Sequence, residues 1–306
     1  FLGDQLTEIL DCILEARQSD KHNGQLMEIG LASIPNFPKD AIDRNRTSPF
    51  AFTGNKFEFR MVGSSQSLAG PNTMLNAAVA DILCEVADRL EGSADVVDEA
   101  WTIIKEFYNG HKRIIFNGNG YSEAWMTEAR ARGLENLDCT VESLARMTDS
   151  TFITMLEKHR VLSASELHSR QEIYLETYCK QIAIEANVMM EMASGKIMGA
   201  ANRYVRELLA SVSLQETHGI RSTHLKTIAA SIVKGIDTII ERVTTLETEV
   251  QDAHTSTGGT LGQARCFRER VVPAMAALRA VCDGLERLVD RSFWPYPSYE
   301  DLLFRL

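Results

Sequence analysis

The sequence lacks the features that would assign it at once to a membrane, secreted or nucleic-acid-binding class. It has no run approaching the ~18 apolar residues needed to span a bilayer, and no signal peptide is visible. Its 32 basic and 42 acidic residues give a net charge of −10, and no basic cluster offsets it. The six cysteines are far apart and contain no Cys-x-x-Cys pair, which favours reduced thiols over a disulfide framework. We expect a cytoplasmic globular protein with neither a membrane nor a nucleic-acid partner.

Several catalytic and metal-binding motifs are also missing. The glycine-rich stretch at Gly258-Gly259 lacks a Gly-Lys-Ser/Thr element and a preceding strand, so it is interpreted as a break between helices. His218 and His224 are six residues apart, which places them on different helix faces, and neither has a carboxylate at a ligand-like offset. No nucleophile elbow surrounds Ser64. The histidines are therefore expected to be structural or surface residues.

Helical periodicity is the commonest pattern that the 306 residues do contain, and this length allows one large or two moderate domains. Proline near the start of a predicted helix is harmless, because its missing N–H has no helical partner in the first turn. Amphipathic helices are predicted over residues 4–17, from Gly70-Pro71 onward, over 94–108 and over 122–132.

The second half of the sequence predicts longer helices. A capping box of the form Ser-x-x-Glu at Ser163 marks the start of one of them, and Gly195 and Gly199 are expected to interrupt or bend it. Apolar residues then recur at heptad-like spacings over 225–250 and over 271–289. Two such helices predict an antiparallel hairpin that packs against further helices.

One stretch, residues 56–61, alternates strictly between charged and apolar side chains. Because successive side chains of a strand point to opposite faces, this pattern predicts one charged face and one face that suits burial. Arg46, ten residues before Lys56 across a connection with proline and glycine, could return to the charged face on an adjacent strand. The charged face carries Lys56, Glu58 and Arg60, and the apolar face carries Phe57, Phe59 and Met61.

The charged face has two interpretations, and the pattern alone leaves both open. One is an ordinary ladder of solvated charges, which is common on antiparallel sheets. The other is a site for metal-bound phosphate and an acidic substrate, where a carboxylate lies between two cations. Such a row would be costly inside a core unless it met ions or charged ligands.

Two strings of residues carry a resemblance to a known family. Asn45-Arg46-Thr47-Ser48, followed by Lys56-Phe57-Glu58-Phe59-Arg60, is similar to the C-terminal signature of glutamine synthetases, which has an Asn-Arg-Ser-type segment and a basic-x-Glu-x-Arg strand. The longer string 43–65, together with 116–122 and 294–297, resembles the type III branch. The resemblance covers most of the chain.

The resemblance implies an α+β fold that is mostly helical by residue count. It would consist of the C-terminal half of a glutamine-synthetase-like catalytic domain, with antiparallel strands and helices, and a long-helix bundle. The implied division is 1–180 for the catalytic portion, 181–292 for the helical extension and 293–306 for a tail that returns to the catalytic domain. The family's β-grasp domain and further metal-binding carboxylates are not found. We therefore expect a C-terminal portion of a longer enzyme that carries part of the active site.

The resemblance also implies a role for each residue of the signature. Glu58 matches a ligand of the Mg²⁺ or Mn²⁺ ion that bridges the nucleotide phosphates, and Arg60 matches the arginine that binds the substrate glutamate and its acyl phosphate. Arg46 matches the arginine that neutralises the transferring phosphoryl group, and Lys56 matches a basic position at the ATP phosphates. Hard oxygen ligands suit Mg²⁺, and the guanidinium fork suits carboxylate or phosphate. Ala51 stands where many members carry a second arginine, so the nucleotide contacts are expected to differ.

The implied function is ATP-dependent ligation of glutamate and ammonia through γ-glutamyl phosphate. Family members form ring-shaped homo-oligomers with sites between neighbouring subunits, so we expect a ring, a dodecamer, and no activity from this portion alone. Two alternatives stay open. One is a γ-glutamyl ligase that uses another amine, and the other is a non-catalytic protein whose helical region mediates assembly or partner binding.

Overall fold

The protein folds into two compact units, which are described separately. The computed structural model describes residues 1–16, 26–27, 37–38, 47–60, 62–64 and 66–304. The first unit comprises residues 1–137 and 154–161, and the second comprises residues 138–153 and 162–306.

The first unit combines helices with two small antiparallel strand pairs. Strand β1 (Leu26–Met27) pairs with β2 (Phe37–Pro38), and β3 (Phe50–Phe52) pairs with β4 (Phe57–Phe59). The helices are α1 (Asp4–Glu15), α2 (Ala69–Glu91), α3 (Val96–His111), followed by a 3₁₀ turn (Lys112–Ile114), and α4 (Glu123–Ala131).

Local sequence explains where α3 and α4 begin. The Asp95 carboxylate accepts hydrogen bonds from the N–H groups of Val97 and Asp98 at 3.0 and 3.1 Å. The Ser122 hydroxyl accepts one from the N–H of Trp125 at 3.2 Å. These caps satisfy N–H groups that no preceding helical turn can pair. The two helices predicted here are confirmed, with small differences at their ends.

The second unit is built from long helices. The remaining elements in chain order are α5 (Thr140–Ala145) with a 3₁₀ turn (Arg146–Thr148), α6 (Ser150–Lys158), whose residues are divided between the two units, α7 (Ala164–Glu191), α8 (Met198–Thr217), α9 (Thr223–His254), α10 (Gly259–Cys266), α11 (Val272–Glu286) and α12 (Tyr299–Leu303). The predicted capping box at Ser163 is present at the start of α7. At ~1.5 Å per residue, α9 is about 48 Å long.

An apolar stripe on α9 forms the centre of the core of the second unit. Its Ile232, Ile239 and Leu246 are fully buried and recur every seven residues. This spacing keeps the three side chains on one face of the helix. Helix α9 packs against both α8 and α11. The connection 218–222 joins it to α8, and 255–258 joins it to α10, which continues into α11, so these short connections make α9 antiparallel to both neighbours. The predicted hairpin of long helices is confirmed.

Two π-helical turns join α7 to α8 and α10 to α11. The first, Met192–Ile197, contains Gly195 and falls in the run that was predicted to be interrupted or bent. The second, Phe267–Val271, lies just before Pro273. Proline has no N–H to donate, and its ring crowds the carbonyl four residues earlier. The wider hydrogen-bonding pattern of a π turn accommodates this mismatch, so the helix continues past the proline.

The predicted α+β class, mostly helical by residue count, is confirmed. The division proposed between residues 180 and 181 stays a prediction, and α7 crosses that position without a break. No helix in the described part of the chain is both long and apolar enough to cross a membrane.

The aromatic residues near the C-terminus pack on the core of the second unit. The ring centroids of Phe293 and Tyr204 are 5.4 Å apart, and Trp294 packs against the same core. The predicted return of residues 293–306 to a catalytic domain stays a prediction.

Gly235 marks a close approach of α9 to α11. A β-carbon there would lie 2.6 Å from Cδ2 of Leu285, which is 2 % exposed and has little room to move. We expect Gly235→Ala to lower the free energy of unfolding by about 1 kcal/mol, because overpacking outweighs the gain in helix propensity. The matched control is Gly284→Ala in α11, where nothing lies within 4 Å, and it should stabilise by up to about 1 kcal/mol. Equal shifts of the two variants in urea unfolding would contradict this packing.

Stability of the second unit should depend on pH through a buried thiol. Burial raises the pKa of Cys282 from its ordinary 9.0 to about 11, with a smaller contribution from the nearby charge of Asp283. Above pH 9 the unfolded chain loses a proton that the folded chain keeps, so stability falls as pH rises through 11, by at most about 3 kcal/mol from this group. Urea unfolding between pH 8 and about 11 should show a shallower fall for Cys282→Ala. The exposed Cys84 provides the control, since Cys84→Ala should keep the original slope.

Candidate functional site

The β3–β4 hairpin carries the predicted charged row. Its turn is closed by Thr53, whose N–H and hydroxyl both donate to the carbonyl of Lys56, at 2.8 and 3.2 Å. Gly54 in this turn has a φ of 96°, which glycine adopts without steric cost. The register pairs Phe50 with Phe59, Ala51 with Glu58 and Phe52 with Phe57.

Glu58 lies between Lys56 and Arg60, as the alternation predicted. Arg60 donates from Nε and Nη2 to Oε2 of Glu58 at 3.4 and 3.2 Å, whereas Nζ of Lys56 lies 3.8 Å from Oε1. The side chain of Arg60 is 12 % exposed, that of Glu58 41 % and that of Lys56 66 %. Arg60 is therefore the least solvent-exposed cation of the row, and Lys56 is the more solvated one.

The opposite face of the hairpin is less buried than the sequence predicted. Phe57 and Phe59 are 50 % and 38 % exposed, which corrects the expectation that they fill a core. Phe57 stacks on Phe50 with ring centroids 5.0 Å apart, and both rings border a cavity of about 890 Å³. Much of the remaining wall consists of apolar side chains from α2 and α3. Phe50 and Phe57 stay accessible because they face this open volume. Met61 lies outside the described residues.

Asn117 connects the loop before α4 to the start of α1. Its Oδ1 accepts hydrogen bonds from the N–H groups of Leu2 and Gly3 at 3.1 and 3.0 Å. Its Nδ2 donates to Oγ1 of Thr7 at 2.9 Å. One side chain therefore satisfies two backbone donors just before α1 and one hydroxyl inside it. Sequence reasoning identified this loop as a turn but missed the contact, because its partners are more than a hundred residues away.

The same loop, residues 116–122, fixes the turn that leads into β3. The N–H of Gly120 donates to the carbonyl of Thr47 at 2.7 Å. Two residues further along, the carbonyl of Pro49 accepts a hydrogen bond from the N–H of Arg60 at 2.8 Å. The turn 47–49 is thus linked through main-chain hydrogen bonds to the loop at one end and to the end of β4 at the other.

Glu58 could supply one ligand of a divalent-metal site but not the whole site. Mg²⁺ is usually held by one or two carboxylates together with phosphates and water. The described residues contain no group of three His, Cys, Asp or Glu side chains that could hold a metal. The Glu58 side chain is partly exposed, and its Oε1 lies beyond hydrogen-bond distance of Lys56, so the carboxylate fits a single ligand position.

Two other positions of the predicted signature are Arg46 and Ala51, and the structure describes only the second. Arg46 lies outside the described residues, so its place beside the row stays a prediction. Ala51 is fully buried and pairs with Glu58 across the hairpin. The expected difference in nucleotide contacts stays a prediction.

Comparison of the chain with known proteins shows which class of protein it is similar to. Residues 99–216 match the glutamine synthetase C-terminal domain family. The match begins in α3 and ends in α8, so it includes parts of both compact units. The resemblance to glutamine synthetases that the sequence strings predicted is confirmed.

The relatives extend the similarity to the type III branch. The chain is 33 % identical over 316 residues to the type-3 glutamine synthetase of Dictyostelium discoideum, covering 99 % of this chain and 42 % of the relative. It is 34 % identical to a glutamine synthetase of Bacteroides fragilis and 32 % identical to one of Butyrivibrio fibrisolvens, covering 43 % and 44 % of those proteins. The chain therefore spans less than half the length of the relatives it matches, and the similarity extends over nearly all of it.

Removal of the Asn117 side chain should destabilise the first unit. Asn117→Ala leaves the N–H groups of Leu2 and Gly3 without their acceptor, which should cost about 1–3 kcal/mol. Asn109→Ala, at an exposed position on α3, is the control and should change stability by less than about 0.5 kcal/mol. Urea unfolding measures both. A change for Asn117→Ala no larger than that for Asn109→Ala would show that these hydrogen bonds do not hold α1.

Proposed function

We propose that this chain is part of an ATP-dependent glutamate–ammonia ligase that makes glutamine. The observation that carries the proposal is the row of Lys56, Glu58 and Arg60 on one face of β4, in a chain similar over nearly its whole length to glutamine synthetases. Two cations around a carboxylate suit a site that receives anionic substrates and metal-bound phosphates. The alternative, a row of solvated surface charges with no ligand, would not explain why the chain is similar to glutamine synthetases.

The proposed reaction has two steps. The side-chain carboxylate of glutamate attacks the γ-phosphorus of ATP, and ADP leaves to give γ-glutamyl phosphate. Ammonia then attacks the acyl carbon, inorganic phosphate leaves, and a proton is lost from nitrogen. Negative charge accumulates on phosphoryl and carboxyl oxygens, so cations held in place before the reaction lower its barrier.

Each residue of the row has a role in this proposal. Arg60 binds the glutamate and its acyl phosphate through its planar guanidinium, which suits oxygen pairs. Its low exposure supports this role, because a partly buried cation is screened less by water. Lys56 contacts the ATP phosphates as a mobile point charge, and Arg46 neutralises the transferring phosphoryl group.

The divalent ion of the proposed site would be Mg²⁺ or Mn²⁺, which neutralises charge on the nucleotide phosphates when bound. Glu58 would be one of its ligands. Arg60 orients the Glu58 carboxylate through Oε2, and the Glu58 side chain remains partly exposed. Carboxylate oxygen is the ligand type that these hard cations prefer.

We also propose that the enzyme is a cytoplasmic, ring-type homo-oligomer, a dodecamer, with active sites between subunits. All six cysteines are free thiols, which fits a reducing compartment. Ile184 and Val188, one turn apart on α7, are 63 % and 47 % exposed. An assembly contact would cover such a pair of apolar side chains.

Removal of the proposed phosphoryl-binding arginine tests the assignment. In the enzyme at the full length of its relatives, Arg46→Ala should lower kcat by about 10²–10³, the scale for losing one preorganised charge-stabilising group. Arg279→Ala, at an exposed position of α11, is the control and should keep the parental kcat. The readout is glutamine formed from glutamate, ATP and ammonia.

The same assay separates this function from its alternatives. Near-normal turnover of Arg46→Ala would make the assigned role wrong. A parent enzyme that prefers a different amine in a screen with glutamate and ATP would be another γ-glutamyl ligase. A full-length protein that forms no product with any amine would favour a helical scaffold.

A further inference from the structure

Gly120 contacts the turn before β3 more closely than any side chain would permit. A β-carbon on Gly120 would lie 2.8 Å from the carbonyl oxygen of Thr47, 3.8 Å from Cδ of Pro49 and 3.9 Å from Cα of Ser48. The nearest of these atoms belongs to the backbone, so it cannot move aside by a change of rotamer. The φ angle of Gly120 lies outside the left-handed region. This glycine is required for the close approach and not for its conformation.

The loop that carries Gly120 is itself held in place. Phe116 stacks on Trp125 of α4 with ring centroids 4.0 Å apart, and the guanidinium of Arg132 lies over the same indole at 5.2 Å. Within the loop, Oδ1 of Asn119 accepts a hydrogen bond from the N–H of Tyr121 at 3.0 Å, and Asn117 is bonded to the residues just before α1. A loop held by these contacts can keep a partner segment in position.

The turn 47–49, which Gly120 contacts, is also bonded to the end of β4. Ser48 is buried, and its hydroxyl donates to the carbonyl of Phe50 at 3.0 Å, which stiffens the turn. The carbonyl of Pro49 then accepts the N–H of Arg60 at 2.8 Å. A rigid path of backbone contacts therefore runs from Gly120 through the turn to the backbone of Arg60.

We propose that Gly120 is a positioning residue for Arg60, and that it sets the affinity for the acidic substrate without touching it. This inference rests on the proposed function for the identity of the substrate. Displacement of the turn by the added methyl of Gly120→Ala moves the backbone of Arg60 and misplaces its guanidinium. Misplacement by about 1 Å at a reacting site can cost up to ~10²-fold.

The test compares Gly120→Ala with Gly110→Ala in the full-length enzyme. Gly110 lies in α3 of the same unit, and nothing lies within 4 Å of its β-carbon position. Gly120→Ala should raise KM for glutamate about tenfold or more, with KM for ATP changed less than about twofold. It should also accelerate hydrogen exchange of the Arg60 amide, because the Pro49 carbonyl that accepts it moves. Gly110→Ala should change none of these quantities.

A milder variant keeps the test decisive if Gly120→Ala does not fold. Ser48→Ala removes only the hydroxyl that stiffens the turn, so KM for glutamate should rise by about two- to fivefold. Parental KM for glutamate in every folded variant would overturn the proposal, and so would a lower kcat at unchanged KM. If the parent makes no glutamine, the proposed function fails. In that case the hydrogen-exchange rate of the Arg60 amide in Gly120→Ala is the one measurement that tests whether Gly120 positions Arg60.

Discussion

The main-chain hydrogen bond between Gly120 and Thr47 is the contact that ties the turn before the charged hairpin to the loop 116–122. At 2.7 Å it joins two segments that are far apart in sequence, and it forms only because Gly120 carries no side chain. A second main-chain bond, from Arg60 to Pro49, orients the end of β4 relative to the same turn. Main-chain donors and acceptors are unaffected by most substitutions, so Gly120 is the position where an added side chain would disturb this contact directly.

The hairpin separates two kinds of chemistry on its two faces. Its aromatic face borders an apolar cavity of about 890 Å³, which is unsuited to phosphate or free carboxylate because unpaired charges are costly to desolvate. Its other face carries the charged row. Within that row Arg60 and Glu58 hold each other in place, whereas the 3.8 Å contact of the exposed Lys56 with Glu58 contributes little to stability. The arrangement suits a fixed guanidinium beside a mobile ammonium group.

Local signals in the sequence predicted most of the fold. Caps at Ser122 and Ser163 and the heptad spacing on α9 depend on residues a few positions apart, so the helices could be predicted directly. Ser298 and Asp301 form a second capping box of this kind at the start of α12. The alternation predicted β4 and its charged row, but burial of Phe57 could not be predicted because it depends on what packs opposite the sheet. The contacts of Gly120 and Asn117 are non-local, and paired glycines in the loop were their only signal.

The composition of the row limits what this part of the chain can contribute to the proposed reaction. Arginine has no acceptor and keeps its proton in proteins, and a charged lysine likewise offers donors only. Glu58 is the sole proton acceptor in the row, and it is paired with Arg60. The row can therefore bind and orient anions, but it has no unpaired base to remove a proton from ammonia or from the nitrogen of the product. That step needs a base from outside the row. In this proposal the row contributes electrostatic positioning, and the acid–base chemistry is carried out by other residues of the enzyme.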